Sequence, residues 1–211
     1  MTRLTVRPQS DSADKIKRIA RQLFAERGVD GVTVRDIAEA AGQKNHAAVA
    51  YYFGSKDALV RELLVDGARL IDEKRNALLD DLEADPAKLN LRSVLEALVY
   101  SSIDFGEPKE VSGYNRFVFL LDMTHREFFL DALEGRWNSG YLRCMEHLRG
   151  LMQHASELQK TQKLVFLGRY LGAVLSARES KLEDSSRPHP IWEDASTLGH
   201  LIDTMFAMLE A

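Results

Sequence analysis

Cysteine is all but missing from these 211 residues: Cys144 stands alone, so no disulfide can form within the chain. No apolar run approaches the ~20 residues needed to span a bilayer. The opening stretch, M-T-R-L-T-V-R-P-Q-S, lacks the apolar core of a signal peptide. Cytoplasmic residence, with no membrane partner, is the expectation. Strand-like alternation is missing along the whole length, and no internal repeat appears, so the chain reads as all-α. Catalytic signatures are missing too: no phosphate-cradling glycine loop, no nucleophile elbow and no H-E-x-x-H. Neither an enzymatic activity nor a cofactor is expected. Cys144 and His147 lie three apart, with His154 two turns further on. Two or three ligands fall short of a closed zinc site, so no metal is expected either.

An overall excess of positive charge is also lacking. The 28 Lys and Arg against 32 Asp and Glu leave a net charge of −4, which by itself speaks against a nucleic-acid partner. The distribution says otherwise. Residues 1–60 hold ten Lys or Arg against seven Asp or Glu, a balance of +3, and the remaining 18 against 25 give −7 beyond residue 60. The basic end is therefore the N-terminal one, as phosphate binding requires. Apolar content of 45% is ordinary for a soluble protein, and the length suffices for a sizeable core in one or two domains.

What is present is organised around residues 33–53, T-V-R-D-I-A-E-A-A-G-Q-K-N-H-A-A-V-A-Y-Y-F. Thr33 can cap a helix by accepting from an unpaired backbone N–H. Ile37, Ala38 and Ala41 then share one face of a short helix, and Gly42 stops it. Val49 and Phe53, four apart, anchor a second helix that offers Gln43, Lys44, Asn45, His46, Tyr51 and Tyr52 and carries almost no acid. Two short helices joined by a glycine turn, the second dense in donors, read as a helix-turn-helix; an ordinary helical hairpin is the competing account.

The flanks favour the first reading. Upstream, Ile16, Ile19, Ala20, Leu23 and Phe24 form one apolar stripe closed by Glu26-Arg27-Gly28; downstream, Ser55 caps a helix with Leu59 and Leu63 inward. In order, I-x-x-I-A-x-x-L-F-A-E-R-G, T-V-R-D-I-A-E-A-A-G and Y-Y-F-G-S-K-D-A-L resemble the DNA-binding domain of TetR-family transcriptional regulators, over about Ile16 to Leu63. The resemblance implies an N-terminal three-helix helix-turn-helix domain, residues 13–54, followed by a larger helical domain, 55–211, for ligand binding and dimerisation. One departure stands out. Between Gly42 and the aromatic end of the recognition helix the chain is one residue longer than the commonest family pattern, and Ala50 stands where an aromatic often sits.

Within the recognition region, Lys44 offers charge to phosphate or guanine, Asn45 and Gln43 can bridge adenine N6 and N7, and His46 can donate in the groove. Thr33, Tyr51, Tyr52 and Lys56 match family positions that touch the sugar-phosphate backbone. Tyr52 has core packing beside Val49 as its alternative place, and Arg35 a solvated face of its helix. Arg3 and Arg7 suggest a groove-reaching arm, with a plain tail as the alternative.

Beyond residue 55, the spacing predicts a long helix over 56–83 ended by Asp85-Pro86, another over 89–105, and an all-round apolar central helix over 114–123. A short connecting helix starts at Phe128, and a longer one covers 137–154. Leu164, Leu171 and Leu175, with Gly168 and Gly172 beside them, and then Leu198, Ile202, Met205 and Phe206, mark two final amphipathic helices. Such a pair can close its own core; the resemblance implies a four-helix dimer interface instead. It also implies a pocket for a small apolar effector, with Phe117, Leu121, Met123 and Trp137 as candidate lining and Arg116 as anchor for an acidic group.

The reading is a homodimeric transcriptional repressor that binds a palindromic double-stranded DNA operator and is released by a small molecule. The alternative is a helical protein that keeps the fold but binds a protein or ligand without an operator. Retention of Lys44, Asn45 and Lys56 separates the two, since a retired DNA-binding domain has no use for them.

Overall fold

The computed structural model describes residues 11–103, 105, 106, 112–133 and 135–211. Arg3 and Arg7 lie outside the described residues. Eleven helices and no strand occur among the described residues: α1 Asp11–Arg27, α2 Val34–Ala40, α3 Ala48–Phe53, α4 Lys56–Glu83, α5 Leu91–Ser101, α6 Tyr114–Thr124, α7 Arg126–Leu133, α8 Ser139–Leu151, α9 Glu157–Glu183, α10 Pro190–Glu193 and α11 Thr197–Glu210. No helix among them is long and apolar enough to cross a membrane.

Local chemistry sets most of these boundaries. Thr33 and Asp36 form a reciprocal capping box at the start of α2, Asn90 and Ser93 form one at α5, and Ser156 and Gln159 another at α9. Ser55 caps α4 by accepting from Ala58 N–H. The cap at Ser156 starts α9 seven residues before the apolar stripe at Leu164, so this helix is far longer than its stripe alone indicates.

Two buried cores divide the molecule. The first gathers Ile16, Phe24, Ile37, Val49 and Leu63 from α1–α4 together with Phe117 and Leu121 of α6. Phe24 and Phe117 stack at a ring separation of 6.0 Å, so the N-terminal three helices are welded to α6 rather than hung from α4 alone. The second core gathers Leu79, Leu95, Leu98, Leu148, Leu167, Ile202 and Met205 from the far half of α4 and from α5, α8, α9 and α11. At 28 residues, α4 reaches ~42 Å and is the one element that runs through both.

Candidate nucleic-acid interface and internal cavity

Helices α2 and α3 are short, and their packing is carried by Ile37, Ala38, Ala41, Ala48 and Val49, all buried. Gly42, at φ +69°, turns the chain out of α2, a conformation that side chains with a Cβ rarely adopt. The second helix, expected to offer Gln43, Lys44, Asn45 and His46 along with Tyr51 and Tyr52, is shorter than that: α3 begins at Ala48, and residues 43–47 precede it as the turn.

Asn45 has a structural task of its own: its Oδ1 accepts from Ala47 N–H at 2.9 Å and holds the turn into α3, leaving one lone pair and the amide N–H groups for a base edge. Lys56 is also partly committed. Its ammonium donates to the carbonyls of Val29 (2.9 Å) and Val32 (3.0 Å), bracing the α1–α2 loop and leaving one of three N–H groups for a phosphate. Arg35 pairs with Glu39 on the open face of α2. Thr33 is tied to Asp36 by three hydrogen bonds, and the two that its N–H and hydroxyl donate to Asp36 Oδ2 hold the Asp36 carboxyl below its ordinary range.

The other side chains stand open. Lys44 and His46 are exposed and Gln43 is half-buried, and none of the three side chains has a partner among the described residues. Tyr51 is 72% exposed at the other end of α3, edge-on to half-buried Tyr52 with ring centroids 4.9 Å apart. A further cation joins them: Lys15 Nζ of α1 lies 3.4 Å from where a Cβ on Gly42 would stand. Lys15 is far from the motif in sequence, which is why the motif does not disclose it. The surface is thus a row of amide, imidazole, ammonium and phenol groups with no carboxylate between Gln43 and Phe53.

A cavity of about 700 Å³ opens between α4, α6, α7, α8 and α9. Here the sequence reading needs correction. Of its five candidates only Trp137 lines the space. Phe117 and Leu121 are 1% and 2% exposed and belong to the first core; Met123 points outward, and Arg116 pairs with Glu183 and donates to the Ala25 carbonyl. Helix α6 is apolar all round, so periodicity cannot tell its faces apart. A rotation of 100° per residue moves the lining from Phe117 and Leu121 to Val118, Phe119 and Asp122.

The residues expected at a dimer interface have their places in the single chain as well. Leu164, Leu171 and Leu175 are buried within the chain, and with Gly168 and Gly172 they line the cavity. A Cβ on Gly168 would stand 2.8 Å from the Tyr141 hydroxyl, and one on Gly172 2.8 Å from the Phe119 ring. The glycines thus make room for neighbouring side chains of the same chain. On α11, Ile202 and Met205 fill the second core; Leu198 and Phe206 pack against it half-buried, Phe206 beneath the Arg92 guanidinium. What α9 leaves open is Leu158 and Phe166, with Val165 exposed at the edge of the cavity.

Among the charged cavity residues, Arg75 is the buried one, and burial pulls its guanidinium below the ordinary range. Tyr141 is pushed up by burial in turn. Cys144 is fully buried on the inner side of α8, its thiol pushed up to about 11, and His147 pairs with Glu83 at 2.7 Å, so these two residues share no task.

Helix-turn-helix, open donor row and long linking helix define a DNA-binding transcriptional regulator of the helix-turn-helix class. The model for bacterial regulatory proteins of the tetR family matches residues 17–63. The HTH-type transcriptional repressor KstR2 of Rhodococcus jostii (strain RHA1) is 33% identical over 165 residues, 66% of this chain and 75% of that protein. In fold, the chain is similar to the TetR family transcriptional regulator PfmR from Thermus thermophilus, with a TM-score of 0.55 and 19% identity, covering 96% of this chain and 98% of the other. A HlyIIR mutant protein aligns with a TM-score of 0.59 and 17% identity over 97% of this chain and 100% of its own. The chain belongs to the TetR family.

Proposed function

We propose that the chain is a repressor that binds a palindromic operator as a homodimer and releases it when a mostly apolar small molecule enters the cavity. Residues 13–54 serve as the DNA-binding unit and 55–211 as the regulatory and dimerising unit. Gln43, Lys44 and His46 reach the groove edges, Lys15 and Lys44 answer phosphates, and Thr33, Tyr51 and Tyr52 border the sugar-phosphate backbone. Asn45 and Lys56 act mainly by holding the turn and the α1–α2 loop, and Arg35 stays on the rim.

One observation carries this reading: the side chains of Gln43, Lys44 and His46 stand without partners among the described residues, with no acid beside them, on a turn that Asn45 holds. Kinship with a named repressor supports the repressor assignment. For the dimer, the support is the exposed pair Leu158 and Phe166 on α9, which a folded monomer leaves in water. Incubating the protein with random double-stranded DNA and sequencing what it retains tests the reading. The expected product is an inverted repeat whose half-sites lie about 34–36 Å apart, one helical turn. Retention of DNA without any shared sequence would reject the operator.

A further inference from the structure

The cavity wall is mainly apolar, yet one buried full charge stands in it. Arg75 of α4 is 6% exposed. Its Nε donates to Ser101 Oγ at 2.9 Å, and its Nη2 to Ser102 Oγ at 2.8 Å and the Leu98 carbonyl at 3.4 Å. All three acceptors are neutral. Asp72, one turn earlier on α4, is a buried acid on the same side of the helix, but other donors fill it. Gly140 N–H meets one of its oxygens at 2.7 Å; the Ser139 hydroxyl (2.8 Å) and the Asn76 amide (3.2 Å) meet the other. Among the described residues no carboxylate stands within ion-pair distance of Arg75, and its Nη1 makes no hydrogen bond.

A buried cation bonded only by hydroxyls and a carbonyl, with Asp72 acting on it through space and not by contact, is an expensive arrangement. A guanidinium cannot escape it by losing a proton at neutral pH. The groups that surround it besides Asp72 are Cys144, Tyr141 and Tyr114, all uncharged there. The arrangement is also built in. A Cβ on Gly140 would stand 3.1 Å from the Arg75 stem, so glycine at this position lets α8 close over the side chain. Beside Gly140, Asn138 Oδ1 lines the same cavity, buried and without a partner. By contrast, the cations at other parts of the wall are compensated: Arg126 and Arg169 by Asp122, and Arg149 by Glu157.

We infer that the cavity takes an apolar molecule with one acidic group, whose oxygens pair with the Arg75 guanidinium while a hydroxyl or N–H of the same molecule donates to Asn138 Oδ1. This rests on the cavity being the effector site. The planar fork of arginine suits a carboxylate or a similar oxyanion, and the pairing supplies the direct ion-pair partner that the fold leaves out. The acidic anchor that the sequence placed at Arg116 belongs instead to Arg75.

Two fluorescent probes with one skeleton test the inference: 1-anilinonaphthalene-8-sulfonate, which is anionic, and N-phenyl-1-naphthylamine, which lacks the sulfonate. The wild-type protein should bind the anion tighter than the neutral probe by about tenfold or more, the scale of one charge-assisted contact. Arg75→Gln should erase that preference while still binding the neutral probe. Ser102→Asp, which places a carboxylate beside the guanidinium from within the chain, should erase it too, with a raised melting temperature. This second variant keeps the test decisive if Arg75→Gln fails to fold. A preference that survives both changes, or that Arg126→Gln abolishes in their place, overturns the inference. Val118→Trp, which fills the cavity, separates the two levels of failure. Both probes still bound in Val118→Trp means that the cavity is not their site, and the effector reading falls. Both expelled by Val118→Trp, with the anion preference intact in Arg75→Gln, leaves the cavity standing and removes Arg75 as its anchor.

Discussion

Tyr114 of α6 lies across Gly67 of α4 so closely that a Cβ on Gly67 would stand 2.2 Å from the tyrosine ring, and the Tyr114 hydroxyl donates to the Leu64 carbonyl at 2.7 Å. The pair joins the helix that leaves the DNA-binding unit to the helix that floors the cavity. In an open helix, replacing glycine by alanine stabilises by ~1 kcal/mol. Here the sign should reverse. Gly67→Ala must displace the Tyr114 ring, an overpacking cost of roughly 1–3 kcal/mol. Thermal or urea unfolding checks this, and Gly67→Ala combined with Tyr114→Leu should recover part of the loss. A more stable Gly67→Ala protein would mean that the two helices stand further apart.

Stability should also depend on pH through Glu179. This residue of α9 accepts from Arg116 N–H (2.8 Å) and Asn115 N–H (3.3 Å) at the start of α6, and burial pushes its carboxyl up to about 7, with Glu183 repelling it further. Between the ordinary value of 4.5 and 7 the folded state therefore holds more protons than the unfolded one. Stability from this group is complete below the ordinary value and is lost as pH rises through the folded one. The melting temperature should fall as pH is raised across that window, and Glu179→Gln should flatten the fall. An identical pH profile in the variant would remove Glu179 as the cause.

The outward face of α9 should hold the dimer. Phe166 is 59% exposed in the single chain, with Val165 beside it and Leu158 two turns away. Phe166→Asp should leave helicity and melting of the isolated chain nearly unchanged, since a surface exchange costs within about 0.5 kcal/mol. Sedimentation should nevertheless shift to the monomer and operator binding should weaken. An intact Phe166→Asp dimer places the interface on another face.

How far the sequence discloses all this differs by region. Thr33, Gly42 and Ser55 announce α2 and α4 because capping and positive-φ turns are local chemistry, written into a few neighbouring residues. The apolar stripe of α1 is equally plain, since its other face is polar. Helix α6 hides its orientation because its apolar residues surround it, and only Phe24 on one side and the cavity on the other decide which face does what. Gly168 and Gly172 invite a close-packed partner helix on paper; the molecule gives that space to Tyr141 and Phe119. Arg75 shares a helix face with Ile71 and Leu78 by spacing, but its partners Ser101 and Ser102 lie 26 and 27 residues away, beyond what a local pattern discloses.

The central claim, that the open row after Gly42 grips DNA, meets its most direct test in the salt dependence of operator binding. Affinity of the selected operator should be measured for wild type and Lys44→Ala across a range of salt concentrations. Each phosphate contact contributes about 0.9 to the slope of log affinity against log salt. Two Lys44 side chains in a dimer should therefore lower the magnitude of that slope by about 2, together with a weaker affinity at low salt. The same slope and the same affinity in Lys44→Ala would contradict the account.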